Sequence, residues 1–434
     1  MTDRPASSRR TRRTRYAARG LAVVLAASGL AACGGGDDGI PVVNLYGGAA
    51  AAGFDKIIAD CNAQADGAYR IVGNLLPSDA DGQREQLVRR LAAKDDGLDL
   101  IGMDVVWTAE FAEAGWVREI TGAAKEAAEE GTLEPTIATA EWKDKLYGIP
   151  KHTNVQLLWY RKSLVPTPPT TWDEMIDMAK QLKADGKPYE IGFTGSQYEG
   201  YVVGFNTILS SYGGTLVNDE STQATVDGKT VDALALIKKF ATSGVASASL
   251  SNSQEPEVFA QMQQGRAAFI LNWPYVLSAM RDAGSGDPKS QEVYDDLGYA
   301  PYPSVVEGET PKVTLGGMNY GISTYSKHPR ETLDAAMCLR TPEHQLQTAL
   351  EAGDPPVAEA VYTEPEFTEA YPQGQDMLTE LQVASSRPIS PLYQNISTIV
   401  STTLSPPAQI QPEQTARQLK SSIQDALEGK GILP

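Results

Sequence analysis

Histidine and cysteine are scarce: the chain has three of each in 434 residues. His152, His328 and His344 are scattered, and no HExxH, CxxC or EF-hand loop is present, so no metal site is expected. No GxSxG elbow occurs and no cysteine has an evident base beside it, which removes the usual nucleophilic hydrolases. Gly34-Gly35-Gly36 and Gly47-Gly48 lack the lysine and hydroxyl of a phosphate loop and read as flexible or tight-turn glycines. No cofactor is implied. Internal repeats and long low-complexity segments are also missing. A glycosidase needs two carboxylates across a cleft, but with 55 acidic residues such pairs arise by chance. A secreted glycoside hydrolase therefore stays only as an alternative.

What is present begins at the N-terminus. Arg9, Arg10, Arg12, Arg13, Arg15 and Arg19 precede the apolar run Leu21 to Ala32, the charge-then-apolar order of a secretory signal. The run is short for a bilayer span and no second one follows. It ends in Leu30-Ala31-Ala32-Cys33, which resembles a bacterial lipoprotein processing box. Residues 1–32 are expected to be removed and Cys33 to carry the lipid; an ordinary signal with a chance cysteine is the alternative. The arginine pairs leave general or twin-arginine export open. Residues 33–39, rich in glycine and aspartate, read as a flexible tether.

Taking the seven arginines and one aspartate of residues 1–32 from 37 basic and 55 acidic side chains leaves 30 and 54, a formal charge of −24. That sign argues against nucleic acid and anionic lipid as partners. The membrane is expected to be met through the anchor alone, on the outer face of the cytoplasmic membrane. With Cys33 lipidated, Cys61 and Cys338 remain. An oxidising location favours a disulfide between them, two buried thiols being the alternative.

Strand-like and helix-like segments alternate: Val42–Tyr46, Ala52–Cys61, Tyr69–Leu76, Asp81–Lys94 and Leu98–Val106. This rhythm implies a mostly parallel sheet under helices. Asn154–Tyr160 reads as one strong strand, and Thr171 with Glu174 as a capping box opening a helix. Helices are expected over 199–211, 231–242, 257–264, 331–340 and 413–427, and a strand over 267–271. About 400 residues suit two α/β lobes rather than one sheet, with crossings near 150–156 and 312–320. The expected division is 40–153 plus 318–382 for one lobe and 154–317 plus 383–434 for the other.

Aromatic residues stand beside polar ones at three strand ends: Asp104-Val105-Val106-Trp107, Asn154, and Asn272-Trp273-Pro274-Tyr275. Aromatic faces cover the C–H faces of a sugar ring, and Asp, Asn, Glu or Arg pair with its hydroxyls. Ligands of α/β sheets sit beyond such strand ends, often between domains.

These residues carry a resemblance. The lipobox, the βα order and Phe259…Gly265-Arg266-Ala267-Ala268-Phe269…Asn272-Trp273-Pro274 resemble the family-1 extracellular solute-binding proteins of ABC sugar importers, the maltose-binding-like class. The run Asp104 to Trp116, Thr153-Asn154, Gln156 to Arg161, Lys312-Val313-Thr314 and Gly316-Gly317 are similar to the mycobacterial trehalose-binding lipoproteins within it. The resemblance implies a two-lobed periplasmic-binding-protein-like fold of class II with hinge strands, and a monomer that delivers a sugar to an ABC permease without catalysis. It implies a ligand set of Asp104, Asn154, Glu255, Trp273, Gly317, Met318 and Arg387, with Trp107, His152, Tyr198, Glu199 and Tyr275 as candidate rim residues. Trehalose or a close α-glucoside is the expected ligand. Another di- or oligosaccharide, and a structural lipoprotein, are the other readings. The chain departs from the pattern at Lys151, His152 and Met318, where the family has a small apolar residue, threonine and leucine.

Overall fold

The computed structural model describes residues 39–47 and 53–430. The expected signal segment 1–32, Cys33 with its expected lipid, and residues 34–38 of the expected tether lie outside the described residues. None of the described helices is long and apolar enough to cross a membrane.

Among the described residues, eleven strands follow in chain order: β1 Val42–Gly47, β2 Arg70–Leu75, β3 Leu100–Asp104, β4 Glu141–Trp142, β5 Lys145–Leu146, β6 Ile149–Asn154, β7 Leu157–Arg161, β8 Glu190–Gly192, β9 Ala267–Asn272, β10 Leu297–Ala300 and β11 Gly316–Ile322. They form a five-stranded sheet in the order β2-β1-β3-β11-β6, a four-stranded sheet in the order β10-β7-β9-β8, and the small hairpin β4-β5. β1 runs parallel to β2 and β3, because helices Phe54–Gln64 and Ala80–Ala92 carry the chain back between them. β11 is antiparallel to both its neighbours, and in the second sheet only β8 and β9 are parallel. The mostly parallel expectation therefore holds for the first three strands and for β8 with β9. β7 and β11 enter their sheets from the other lobe, so no crossover helix fixes their direction.

The strand expected over Asn154–Tyr160 is two strands. β6 ends at Asn154 in the first sheet and β7 begins at Leu157 in the second, so Val155 and Gln156 make a crossing. A run of apolar residues reads the same whether one sheet or two bury it. The chain returns between Ala300 in β10 and Gly316 in β11. A third segment runs beside this return: the Leu315 N–H donates to Ser385 O at 3.0 Å and the Ser385 N–H to Val313 O at 2.8 Å.

Two apolar clusters flank the first sheet. One holds Val43, Leu45, Ile57, Cys61, Ala335 and Leu339; the other holds Leu87, Leu91, Met103, Trp107, Phe111 and Tyr393. A disulfide joins Cys61 to Cys338 with the Cα atoms 5.9 Å apart, tying helix Phe54–Gln64 to helix Pro329–Leu339. A third, larger cluster surrounds the second sheet and centres on Trp172, whose ring meets Phe193 and Phe240 edge-on at 5.7 and 5.5 Å. Ala349, Val361, Tyr362, Phe367 and Leu381 join this cluster. The Trp172–Ala184 helix is capped by Thr171, whose Oγ1 accepts from the Glu174 N–H at 3.2 Å. The reciprocal half of the expected box is displaced by one residue. Glu174 Oε2 accepts from the N–H and hydroxyl of Thr170, not from Thr171, at 2.7 and 2.8 Å.

Candidate functional site

The crossings bring one end of each lobe together. Asp104 ends β3 and stands opposite Met318 in β11, and Met318 stands opposite His152 in β6. Two glycines permit this. A Cβ on Gly317 would lie 2.4 Å from His152 O, and its φ of +125° disfavours any other residue. A Cβ on Gly316 would lie 2.9 Å from the Trp273 ring and 3.3 Å from Asn154 Cβ. Bare backbone at these positions lets Trp273 from the second sheet approach Asn154 from the first.

Arg387 links the lobes. It is 4% exposed. One guanidinium nitrogen donates to Glu199 Oε1 at 2.5 Å, and the other to Asp104 Oδ1 at 3.2 Å. Glu199 opens the helix Glu199–Ser211 and also accepts from the Tyr393 hydroxyl at 2.5 Å and from the Ser397 hydroxyl. Burial raises the Glu199 carboxyl above its ordinary range, while Arg387 pulls it back down. Burial would lower the Arg387 guanidinium, but Asp104, Tyr393 and Glu199 outweigh it and hold it charged. A buried arginine held this way offers a fixed cation whose position is set by partners on both lobes.

A second group surrounds Glu255. Its carboxylate accepts from the Tyr198 hydroxyl, and its backbone oxygen accepts from Asn272 Nδ2 at 3.1 Å and the Tyr275 hydroxyl at 3.2 Å. Asn272 Oδ1 accepts from the Trp273 N–H at 2.9 Å, and the Trp159 indole donates to Asn272 O at 3.1 Å. Asn272, fully buried, thus positions both Glu255 and Trp273. Burial raises the Glu255 carboxyl, and the Tyr198 hydrogen bond opposes it.

Beside these groups lies a cleft of about 740 Å³. Its walls include Leu45, Asn74 and Gly102 of the first lobe, and Tyr275, Ser278 and Asp282 on the helix Tyr275–Gly286. Of the expected residues, His152, Tyr275 and Met318 line it; Asp104, Asn154, Glu255, Trp273, Gly317, Tyr198 and Glu199 do not. Arg387 borders a cavity of only about 10 Å³ with Val105, Leu315 and Ile389. Met318, paired with both Asp104 and His152, joins the two regions.

Two of the rim expectations are corrected. Trp107 is 3% exposed and stacks on Phe111 at 5.9 Å within an apolar cluster, so it packs the core. Glu199 lies under Arg387 as its support, not on a rim. His152 faces Asp354 at 3.7 Å, too far for a hydrogen bond. Burial pushes its imidazole down to about 4 despite Asp354, so it is neutral at pH 7. The reading of the sequence passed over Asp354 and Glu351, which enter the cleft wall from the end of helix Pro342–Ala352, and noted Lys151 only as a departure. A lysine inside the otherwise apolar start of β6 was the available signal.

The bacterial extracellular solute-binding protein model matches residues 71–346. A probable ABC transporter-binding protein of Deinococcus radiodurans is 28% identical over 336 residues, covering 74% of this chain and 77% of its own. Maltose-bound MalE3 of T. maritima superposes with a TM-score of 0.78 at 25% identity, over 88% of this chain and 98% of that one. An ABC transporter solute-binding protein of Thermotoga lettingae TMO, bound with α-D-tagatose, superposes with a TM-score of 0.77 at 22% identity, over 89% and 100%. With its two α/β lobes of the periplasmic-binding-protein type, the chain belongs to the bacterial extracellular solute-binding proteins, which capture a solute and are not enzymes.

Proposed function

We propose that the protein is the receptor of an ABC sugar importer and holds a small saccharide between its lobes, which close over it. The observation that carries this is the meeting of Asp104 from the first sheet with Arg387 across the crossings, and of Trp273 with Gly316 and Asn154, beside a cleft of about 740 Å³. Carboxylate, guanidinium and amide serve hydroxyls, and an indole serves a ring face. The maltose held by the T. maritima relative supports a di- or oligosaccharide, and the tagatose of the other keeps the sugar class wide. Trehalose rests on the motif likeness from Asp104 through Gly317 alone and is the narrower form of the same reading.

The division proposed is 40–153 plus 318–382 for the first lobe and 154–317 plus 383–434 for the second, with one stretch moved. The stretch 349–381 goes with the second lobe, whose apolar cluster it joins. Asp104, Asn154, Glu255, Trp273, Gly317, Met318 and Arg387 form the recognition set. Processing before Cys33, acylation of its thiol and a monomeric state complete the proposal, and the permease is the partner that opens the lobes.

Titration calorimetry with trehalose, maltose, sucrose and glucose tests it. Saturable one-to-one binding of at least one disaccharide is expected, weakened about thirty- to a hundredfold by Asp104→Ala or Trp273→Ala, each removing roughly 2–3 kcal/mol of contacts. No heat from any sugar with folded protein contradicts the reading.

A further inference from the structure

One wall of the cleft is not used by the recognition set. Lys151, in β6, lies over the rings of Phe54 and Tyr320 with its ammonium 5.1 and 5.9 Å from their centroids. All three residues line the cleft. Among the described residues Lys151 makes no salt bridge, and no carboxylate or carbonyl accepts a hydrogen bond from it. Burial lowers its ammonium and Asp354 opposes this, so Asp354 is the charge that steadies it. An ammonium has three donors and no acceptor, and leaving them unmet in a partly dry site costs free energy. Rings beneath a cation satisfy part of its charge but none of its hydrogen bonds.

The rest of this wall has the opposite character. Asp354 and Glu351 are half-buried on the same side, and Asp55 and Asp282 stand at its edges. Four carboxylates thus border the cleft against one ammonium, Asp282 being paired with Arg281 at 3.2 Å, and His152 in the same lining is neutral at pH 7. Carboxylates only accept, so they fit hydroxyls or an ammonium on the ligand. Their summed field repels an anion, and low-dielectric walls reduce the screening.

We infer that Lys151, Asp354 and Glu351 form a second recognition pole of the cleft, which takes a neutral or amine-bearing sugar unit and rejects anionic sugars. This rests on the sugar-receptor reading and names the charge class of its ligand. Lys151 donates to a ligand oxygen, while Asp354 and Glu351 accept from neighbouring hydroxyls. The pole lies on the side of Met318 away from Asp104, because Met318 pairs with Asp104 on one edge and His152 on the other. The ligand touching both poles spans that strand.

The test is calorimetry of the purified protein with trehalose and maltose, each against its anionic counterpart, trehalose 6-phosphate and maltobionate. The neutral sugar is expected to bind at least about tenfold tighter than its anionic form. Lys151→Met should weaken the neutral sugar about tenfold or more, with Lys151→Arg recovering part of the loss. Asp354→Asn combined with Glu351→Gln should narrow the gap between neutral and anionic sugars. A melting curve on each variant shows whether it folds, and the double carboxylate variant carries the test if Lys151→Met does not. Equal or tighter binding of the anionic forms, or an unchanged gap in the double variant, overturns the inference and leaves the receptor reading standing. Failure of all four sugars to bind folded wild-type protein overturns both.

Discussion

Glu380 is 5% exposed in the helix Gly374–Val383. One oxygen accepts from the Tyr302 N–H at 3.0 Å, and the other has no partner among the described residues. Burial pushes its carboxyl up to about 8, against an ordinary value of 4.5. The folded state therefore holds a proton that the unfolded state has lost between those values. The resulting stability is full below about pH 4.5 and is lost as pH rises through about 8. Glu380→Gln is expected to leave melting unchanged near pH 4 and to raise it near pH 8, at up to about 1.4 kcal/mol per pH unit across the interval. Identical pH profiles for both proteins would contradict this. The same scale shows what single residues disclosed. Asp104, Asn154 and Trp273 were open to proposal because each sits in a motif with a chemical reason for its residue type, and Arg387 through the resemblance alone. Lys151 and Asp354 were not. They lie 203 positions apart, and only the crossing that hydrogen-bonds Thr153 N–H to Pro355 O at 3.0 Å brings their segments together. Trp107 misled because an aromatic at a strand end reads alike whether it faces a cleft or a core.

The apolar pattern placed several elements well, whether buried on one face or all round. The helices Glu199–Ser211 and Pro412–Leu427 and the strand Ala267–Asn272 lie within a residue of where the apolar spacing puts them. It failed at Asn154–Tyr160, where burial on both sides of a crossing removes the change in pattern that would mark two strands. It was silent on helices 123–129, 134–140 and 393–404, whose faces are set by neighbours distant in sequence. The disulfide acts between elements, joining Phe54–Gln64 to Pro329–Leu339 across a sequence separation of 277 residues. Losses on opening a disulfide are typically about 2–4 kcal/mol, less than the more than about 5 kcal/mol that chain entropy alone gives for so long a loop. Cys61→Ala with Cys338→Ala should lower the denaturant midpoint accordingly, with sugar affinity changed little because both sulfurs lie away from the cleft wall. An unchanged midpoint would contradict the stabilising role.

At the scale of the molecule, the lobes are joined by the crossings at Val155–Gln156 and 301–315 and by the segment through Ser385 that runs beside the second. Three parallel connections favour rotation about one axis over free tumbling, and hinges absorb that rotation in a few backbone torsions. Arg387 emerges from the third connection and touches Asp104 of the first lobe and Glu199 of the second, so closure and ligand contact share one side chain. Two lobes and their order were readable from length and alternation, but which late segments return to which sheet was not, because the pairing of β11 with β3 and β6 is settled by contacts more than 150 residues apart. Solution X-ray scattering with and without a disaccharide that saturates the protein in calorimetry tests the central claim most directly. The account predicts a smaller radius of gyration with the sugar bound, and no such decrease when Asp104→Ala removes binding. An identical scattering profile at proven saturation would contradict capture by closure of the two lobes.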